Sequence, residues 1–232
     1  MNICLIGNNL TNLVLAKNLL DRKINIDLFC HPTINSTKTT RTIGISENNI
    51  DFFNINNINL SKISWPIKNI KVFNEIDQKI EILNFKSSKN FFLSMVKYNE
   101  LFKSLNDLLK KKKNFKKYKI KKNLLNKIIS NPKYNLIINS DKKNNIMSNY
   151  FFGTINKDYR STAYTTLMKH NYCNNNIAVQ IFTKIGPIAF LPLSNYKTSI
   201  VFSVIDQSIK LKDLKIEEYI TKYNSIYKIN SF

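Results

Sequence analysis

The opening of the chain admits few folds. Ile3, Cys4, Leu5 and Ile6 form a continuous apolar run closed by Gly7, the pattern of a short strand buried on both faces. Gly7, Asn8 and Asn9 make a turn. Leu10, Leu13, Val14, Ala16, Leu19 and Leu20 then recur at helical spacing, so residues 10–21 are expected as an amphipathic helix. Residues 24–29 alternate into a second strand. Two strands separated by a helix in so short a stretch lie parallel, because parallel pairing needs a crossover. The chain therefore begins as a βαβ unit, and the fold class is α/β.

Further along, residues 33–40 read as a polar loop. Ser46 is placed to cap a short helix running through Phe53. Trp65-Pro66 reads as a break, followed by strands over 67–73 and 79–83. Residues 96–109 carry Leu101, Phe102, Leu105, Leu108 and Leu109 on one helical face. Residues 110–122 are rich in lysine, as a solvated helix end or exposed face would be. Residues 134–139 form another buried strand, closed by Ser140-Asp141. From about residue 158 the pattern turns meander-like, with β-rich runs at 159–170, 176–182, 188–193 and 198–204, then a helix over 212–223. The expected domains are 1–157, with inserted strands around 67–83, and 158–232 as an antiparallel sheet.

Composition sets outer limits. With 232 residues, 43% hydrophobic and 12% aromatic, the chain can bury a sizeable core and is too apolar to be disordered. No apolar run approaches the roughly 18 residues that span a bilayer. The N-terminus runs straight into a strand, so no secretory signal is expected. Cys4, Cys30 and Cys173 lack metal-ligand spacing and suit a reduced, cytoplasmic protein. The net charge of +21 raises the possibility of a nucleic-acid-binding module. Lys, Asn and Ile are over-used throughout while Ala, Gly and Arg are scarce, which reads as uniform bias toward AT-rich codons. The basic residues are not interleaved with aromatics as a base-stacking face requires, so no specific nucleic-acid partner is expected.

The turn after the first strand stands where a dinucleotide fingerprint places three glycines, for the tight turn, for approach to the pyrophosphate and for helix packing. Those places hold Gly7, Asn9 and Asn12. Asn tolerates left-handed backbone, but its side chain would crowd a phosphate. Cys30 stands where an acid would bind ribose hydroxyls, with Asp27 before it and His31 after it. His31 and His170 are the only histidines and neither has a partner at metal-ligand or triad spacing, so no metal site and no catalytic side chain is named.

Taken together, these pieces resemble the FAD-dependent aromatic hydroxylases of ubiquinone biosynthesis, part of the para-hydroxybenzoate hydroxylase-like flavin monooxygenases. Four matches occur in the family's order. The first strand, turn and helix resemble its FAD-binding start. Thr40-Arg41-Thr42-Ile43-Gly44-Ile45-Ser46 resembles a segment whose arginine lies near FAD. Leu136-Ile137-Ile138-Asn139-Ser140-Asp141 resembles the strand leading to an Asp-Gly motif. Ala178-Val179-Gln180-Ile181-Phe182 and Gly186-Pro187-Ile188-Ala189-Phe190-Leu191-Pro192-Leu193 resemble a segment of the substrate-domain sheet. The last strand should sit at a sheet edge, or begin and end at its prolines, because proline cannot donate to a ladder.

The resemblance implies a Rossmann-like FAD-binding domain interleaved with an antiparallel substrate sheet. It implies FAD and NAD(P)H as cofactors, and hydroxylation of a polyprenylated phenol. It places Gly7, Asn8, Asn9, Leu10, Arg41 and Asp141 at the cofactor, and Gly186 and Pro187 on the substrate side. It further implies other ubiquinone-biosynthesis proteins as partners and peripheral contact with the inner face of a membrane. The chain departs from the family at Asn9, Asn12 and Cys30, at Asp141-Lys142, and at Asn99, where the family has an arginine. It also ends before the family's later Gly-Asp motif. The expectation is a C-terminally truncated product, one half of a split pair that a second chain completes, or a remnant that keeps the fold but binds no FAD alone.

Overall fold

The computed structural model describes residues 1–31, 40–76, 80–87, 91–120, 125–141, 144–150, 155, 157–204 and 216–232, with backbone only at 147 and 148. Most of the expected loop at 33–40 lies outside these residues, as do Lys79, Lys121, Lys122, Lys142 and residues 212–215. In chain order the elements begin β1 (Asn2–Ile6), α1 (Leu10–Asp21), β2 (Asn25–Cys30), β3 (Thr42–Ser46) and α2 (Glu47–Ile55). They continue β4 (Ser64–Ile67), β5 (Asn69–Asn74), β6 (Glu81–Lys86), β7 (Leu93–Lys97), α3 (Tyr98–Lys110) and β8 (Phe115–Lys119). Then come α4 (Leu125–Ile129), β9 (Leu136–Asn139), α5 (Ile146–Tyr150), β10 (Thr162–His170) and β11 (Ile177–Thr183). The last are β12 (Gly186–Ser194), β13 (Lys197–Val204), α6 (Ile216–Tyr223) and β14 (Ile229–Ser231).

The chain forms two compact units and passes between them several times. The first holds residues 1–39, 56–58 and 99–156. Its sheet is parallel, in the order β8-β2-β1-β9. Central β1 is buried on both faces, as its apolar run requires. Cys4 and Ile6 pack with Ile120, Ile128 and Ile146, while Ile3 and Leu5 are buried on the opposite face. Helix α1 buries Leu13, Ala16 and Leu20. It ends where Lys23 takes φ 61°, with Arg22 N and Lys23 N donating back to Leu19 O and Leu20 O at 3.1 and 3.0 Å. Asp27 on β2 lies beside Cys4 and is nearly buried, accepting from Lys133 Nζ at 2.5 Å and Tyr134 Oη at 2.8 Å. The two donors offset the cost of burying its charge.

The second unit holds residues 40–55, 59–98 and 157–232. A seven-stranded mixed sheet runs β14-β10-β13-β12-β11-β5-β6, and a three-stranded antiparallel sheet runs β3-β7-β4. The large sheet has two apolar faces. On one, Val179, Ile181, Ile188, Phe190, Ile200 and Phe202 pack with Ile220 and Tyr223 of α6. On the other, Ala178, Leu191 and Leu193 meet Ile67 and Met95 of the small sheet. Phe190 and Phe202 are 1% and 0% exposed. Burial of each side chain is worth about 1.5–3 kcal/mol.

Several expectations are corrected. Trp65 and Pro66 lie inside β4 rather than at a break. Proline is accommodated there because β4 is an edge strand of its sheet. The run 67–73 divides at Lys68, and its two parts serve different sheets. Val96 is in β7, so the following helix starts at Tyr98. Within the lysine-rich segment, Phe115–Lys119 is the edge strand β8 with Phe115 as its buried residue. Strand β12 is interior, between β11 and β13, with Pro187 and Pro192 near its two ends. No helix among the described residues is long and apolar enough to cross a membrane.

One alkaline-pH prediction follows from β1. Burial, reinforced by the Asp27 charge and opposed by Lys133, pushes the Cys4 thiol from 9.0 up to about 12. The fold disfavours the thiolate, so this contribution to stability is complete below about pH 9 and is lost as pH climbs toward about 12. Melting temperatures measured across that window should fall less steeply for Cys4→Ala than for the wild type. Equal slopes would show that Cys4 does not titrate with unfolding.

Candidate active site

The carboxyl end of β1 gathers most of the expected cofactor residues. Gly7 has φ +113°, a conformation that side chains rarely adopt. A Cβ there would lie 2.8 Å from Ser140 Oγ and 3.1 Å from Asp141 N. Asn9 is the N-cap of α1, and its Oδ1 accepts from Asn12 N at 3.0 Å. Its Nδ2 donates to Ser140 Oγ at 2.8 Å and to Ser140 O at 3.1 Å. One side chain thus closes the helix end and ties it to the end of β9.

Asn12, at the third glycine place of the fingerprint, is fully buried. Its Nδ2 donates to Ile6 O at 3.0 Å and Gly7 O at 2.8 Å, and its Oδ1 has no hydrogen-bond partner among the described residues. The asparagine therefore turns inward and satisfies two carbonyls at the strand end. The amides of Leu10 and Thr11 in the first turn of α1 have no carbonyl of their own helix to meet. Together with the N-terminal end of the helix dipole they form a place suited to a phosphate. The residues fit a dinucleotide phosphate there, with one donor fewer than a glycine-lined turn offers, because Asn9 occupies the Asn12 amide.

Strands β2 and β9 flank β1 and bring further polar groups to the same end of the sheet. His31 Nε2 lies 3.6 Å from Asp141 Oδ2. Lys117 on β8 donates to Asn8 Oδ1 at 3.0 Å and to Asn106 Oδ1 at 2.7 Å. Partial desolvation lowers the Lys117 pKa. From the sequence, Lys117 falls in a solvated lysine-rich face and Ser140 has no role of its own. The signal that finds both is positional, since ligands in open α/β sheets bind outside the carboxyl ends of the strands.

The remaining expected site residues belong to the second unit. Arg41 precedes β3, its guanidinium carbon 5.3 Å from the Tyr98 ring centroid, and its carbonyl accepts from Tyr98 N at 3.0 Å. Gly186 opens β12 after the two-residue turn Lys184-Ile185, with φ 140°. A φ in that range favours glycine. Thr183 Oγ1 donates to Gly186 O at 2.6 Å, and Pro187 pairs with Phe182.

A second polar cluster lies in this unit. His170 Nδ1 is 2.8 Å from Asn171 O, and its Nε2 is 3.0 Å from Thr198 Oγ1. Cys173 Sγ is 3.7 Å from His170 Nδ1, and Asn175 Oδ1 accepts from Tyr227 Oη at 2.8 Å. The residue types suggest a Cys-His-Asn nucleophile. The hydrogen bonds exclude it, since a carbonyl only accepts, so Nδ1 carries the proton and cannot take one from Cys173. Burial also raises the Cys173 pKa and pushes Tyr227 up to about 12. The cluster braces β10, β13 and the segment before β14. Among the described residues, no group of three or more His, Cys, Asp or Glu side chains gathers as a metal site.

No protein-family model matches the chain, and no curated protein matches it in sequence. Solved structures match it in fold. Against p-nitrophenol 4-monooxygenase PnpA from Pseudomonas putida DLL-E4 the TM-score is 0.75 at 8% identity, covering 99% of this chain and 66% of that one. A variant of HpxO from Klebsiella pneumoniae complexed with FAD gives 0.69 at 11% identity, covering 96% and 62%. A geranylgeranyl bacteriochlorophyll reductase-like protein from Thermoplasma acidophilum gives 0.68 at 13% identity, covering 100% and 64%. The chain spans about two thirds of the length of these structures. It has the α/β fold that the monooxygenases share, and the reductase-like match shows that this fold alone does not set the reaction.

The turn predicts a sharp local sensitivity. Gly7→Ala combines a disfavoured φ with a contact against Ser140 and Asp141. It should destabilise the fold by about 1–3 kcal/mol. Chemical unfolding measures this as a lower midpoint, and an unchanged midpoint would show that the turn tolerates a side chain.

Proposed function

We propose that this chain provides the cofactor- and substrate-binding framework of an FAD-dependent aromatic monooxygenase that uses NAD(P)H. We further propose that it acts on a polyprenylated phenol of ubiquinone biosynthesis. The observation that carries the reading is the β1–α1 turn, set at the carboxyl end of a parallel sheet within a monooxygenase-like fold. The chemistry supplied by bound FAD is acceptance of hydride from NAD(P)H and transfer of one oxygen atom from O₂ to the ring.

The chain's own residues bind and orient. Leu10 and Thr11 donate their amides to a phosphate, and Gly7 keeps the turn tight enough for Ser140 to reach it. Arg41 offers a charge-assisted donor to flavin or phosphate oxygens. Asp141 brings a carboxylate to the same end of the sheet for a cofactor hydroxyl. A lipid-tailed substrate calls for peripheral contact with a membrane surface, and the charge of +21 favours an anionic one. Other ubiquinone-biosynthesis proteins, or a second chain that completes the fold, are the proposed partners.

A second reading is favoured by one observation. Asn9 already satisfies the Asn12 amide, so the chain could keep the fold and bind no FAD alone. Titration with FAD, followed by flavin fluorescence, separates the two readings. The monooxygenase reading expects weak binding that Asn9→Gly tightens by roughly tenfold, which corresponds to about 1.4 kcal/mol. No binding by either form at about 0.1 mM would favour the second reading. In the Asn9→Gly background, Arg41→Ala should weaken FAD about tenfold, the scale of one charged hydrogen bond. Unchanged affinity would remove Arg41 from the cofactor site.

A further inference from the structure

A cavity of about 320 Å³ opens on the α6 face of the large sheet, wholly within the second unit. Parallel pairing of β5 with β11 sets Lys71 beside Val179 and Phe73 beside Ile181, so these four side chains share one face. Phe73, Val179 and Ile181 make an apolar floor, and Lys71 is the one charged residue among those described that line the cavity. The opposite wall is the turn after α6, which carries Ile226 and Tyr227. That turn is tightly held. Asn224 Oδ1 accepts from Tyr227 N at 2.9 Å, and its Nδ2 donates to Tyr227 O at 2.7 Å. Tyr227 Oη donates to Asn175 Oδ1 at 2.8 Å, and Asn175 Nδ2 donates to Ser194 O at 2.8 Å. The walls are therefore fixed before any ligand arrives, which cuts the ordering cost of binding.

An ammonium carries three donors. Lys71 Nζ gives one to Glu81 Oε2 at 2.8 Å, and its side chain stays 33% exposed. Glu81 does not line the cavity. Glu75, just beyond β5, does not line it either, and its carboxylate accepts from Tyr223 Oη and Lys184 N, each at 2.7 Å. The lining thus offers an anion one cation, and the apolar floor offers its body a dry surface. We propose that this cavity binds a small monocarboxylate with an apolar body, its carboxylate on Lys71 and its body against Phe73, Val179, Ile181 and Ile226. At the volume of a water molecule per group, ~30 Å³, the space holds about ten non-hydrogen atoms, so a medium-chain acyl acid is the simplest such ligand. The carboxylate takes ammonium hydrogens that Glu81 leaves, and the chain's charge of +21 draws anions toward it. One charged contact and a short body set Kd on the order of 0.1–1 mM.

Octanoate is the probe. Titrated into the full chain with isotope-labelled isoleucine methyl groups, it should shift the Ile181 and Ile226 resonances saturably and leave those of Ile3 and Ile26 in the first unit unmoved. 1-Octanol removes the charge and octylammonium reverses it, and each should bind at least about tenfold more weakly than octanoate. Lys71→Met should weaken octanoate about tenfold and leave 1-octanol unchanged. Lys71→Arg, which keeps the charge, should hold octanoate within about threefold of the wild type. Circular dichroism checks that each variant is folded. Four results would overturn the proposal: no saturable shift at about 5 mM octanoate, shifts at Ile3 and Ile26 in place of Ile181 and Ile226, 1-octanol binding as well as octanoate, or octanoate affinity that ignores Lys71→Met.

Discussion

Three segments meet at the carboxyl end of β1, and the first unit is organised by how they are held there. Gly7 N donates to Phe29 O and Ser140 N donates to Ile6 O, each at 2.9 Å, so β2 and β9 are fastened to the central strand at its last residues. Asn12 then takes the Ile6 and Gly7 carbonyls from beneath, and Asn9 reaches across to Ser140. The close approach of Ser140 and Asp141 needs Gly7 to lack a side chain, because a Cβ there would lie 2.8 Å from Ser140 Oγ and 3.1 Å from Asp141 N. The turn packs against itself at the places where a dinucleotide fingerprint carries its second and third glycines. The amides of Leu10 and Thr11 still have no carbonyl of their own helix to meet.

The second unit rests on a different constraint. A large sheet with apolar residues on both faces must be covered on both, and this one is covered by α6 on one side and by the three-stranded sheet on the other. Alternation along β11 and β12 sorts the residues, so Val179 and Ile188 go one way and Ala178 and Leu191 the other. The polar brace around His170 and Asn175 then holds the sheet's end to the segment before β14. A cavity of about 320 Å³ opens beside it, on the α6 side.

Much of this fold is legible in the sequence because periodicity reports burial. The bounds of α1 are those that its leucines predict, and the meander after residue 158 appears as four consecutive strands. What could not be read depends on tertiary context. The run 67–73 looks like one strand because nothing local marks Lys68 as the point where the chain changes sheets. Strand β8 hides behind three lysines and a tyrosine, since an edge strand of a parallel sheet needs only Phe115 on the buried side. For the site, Gly7, Asn9 and Asp141 could be placed by their order along the chain. The grip of Asn9 on Ser140 could not, because it joins residues far apart in sequence. Nor could the inward turn of Asn12, which makes a lost glycine into a structural substitute.

The central claim is that the β1–α1 turn closes itself through Asn9 while keeping the Leu10 and Thr11 amides for a phosphate. Amide resonances followed by NMR during an FAD titration test it at the three donors concerned. The account predicts that Asn12 N–H exchanges slowly with solvent and stays unmoved, while Leu10 and Thr11 shift together as the dinucleotide is added. An Asn12 amide that exchanges freely, with Leu10 and Thr11 unmoved, would contradict it.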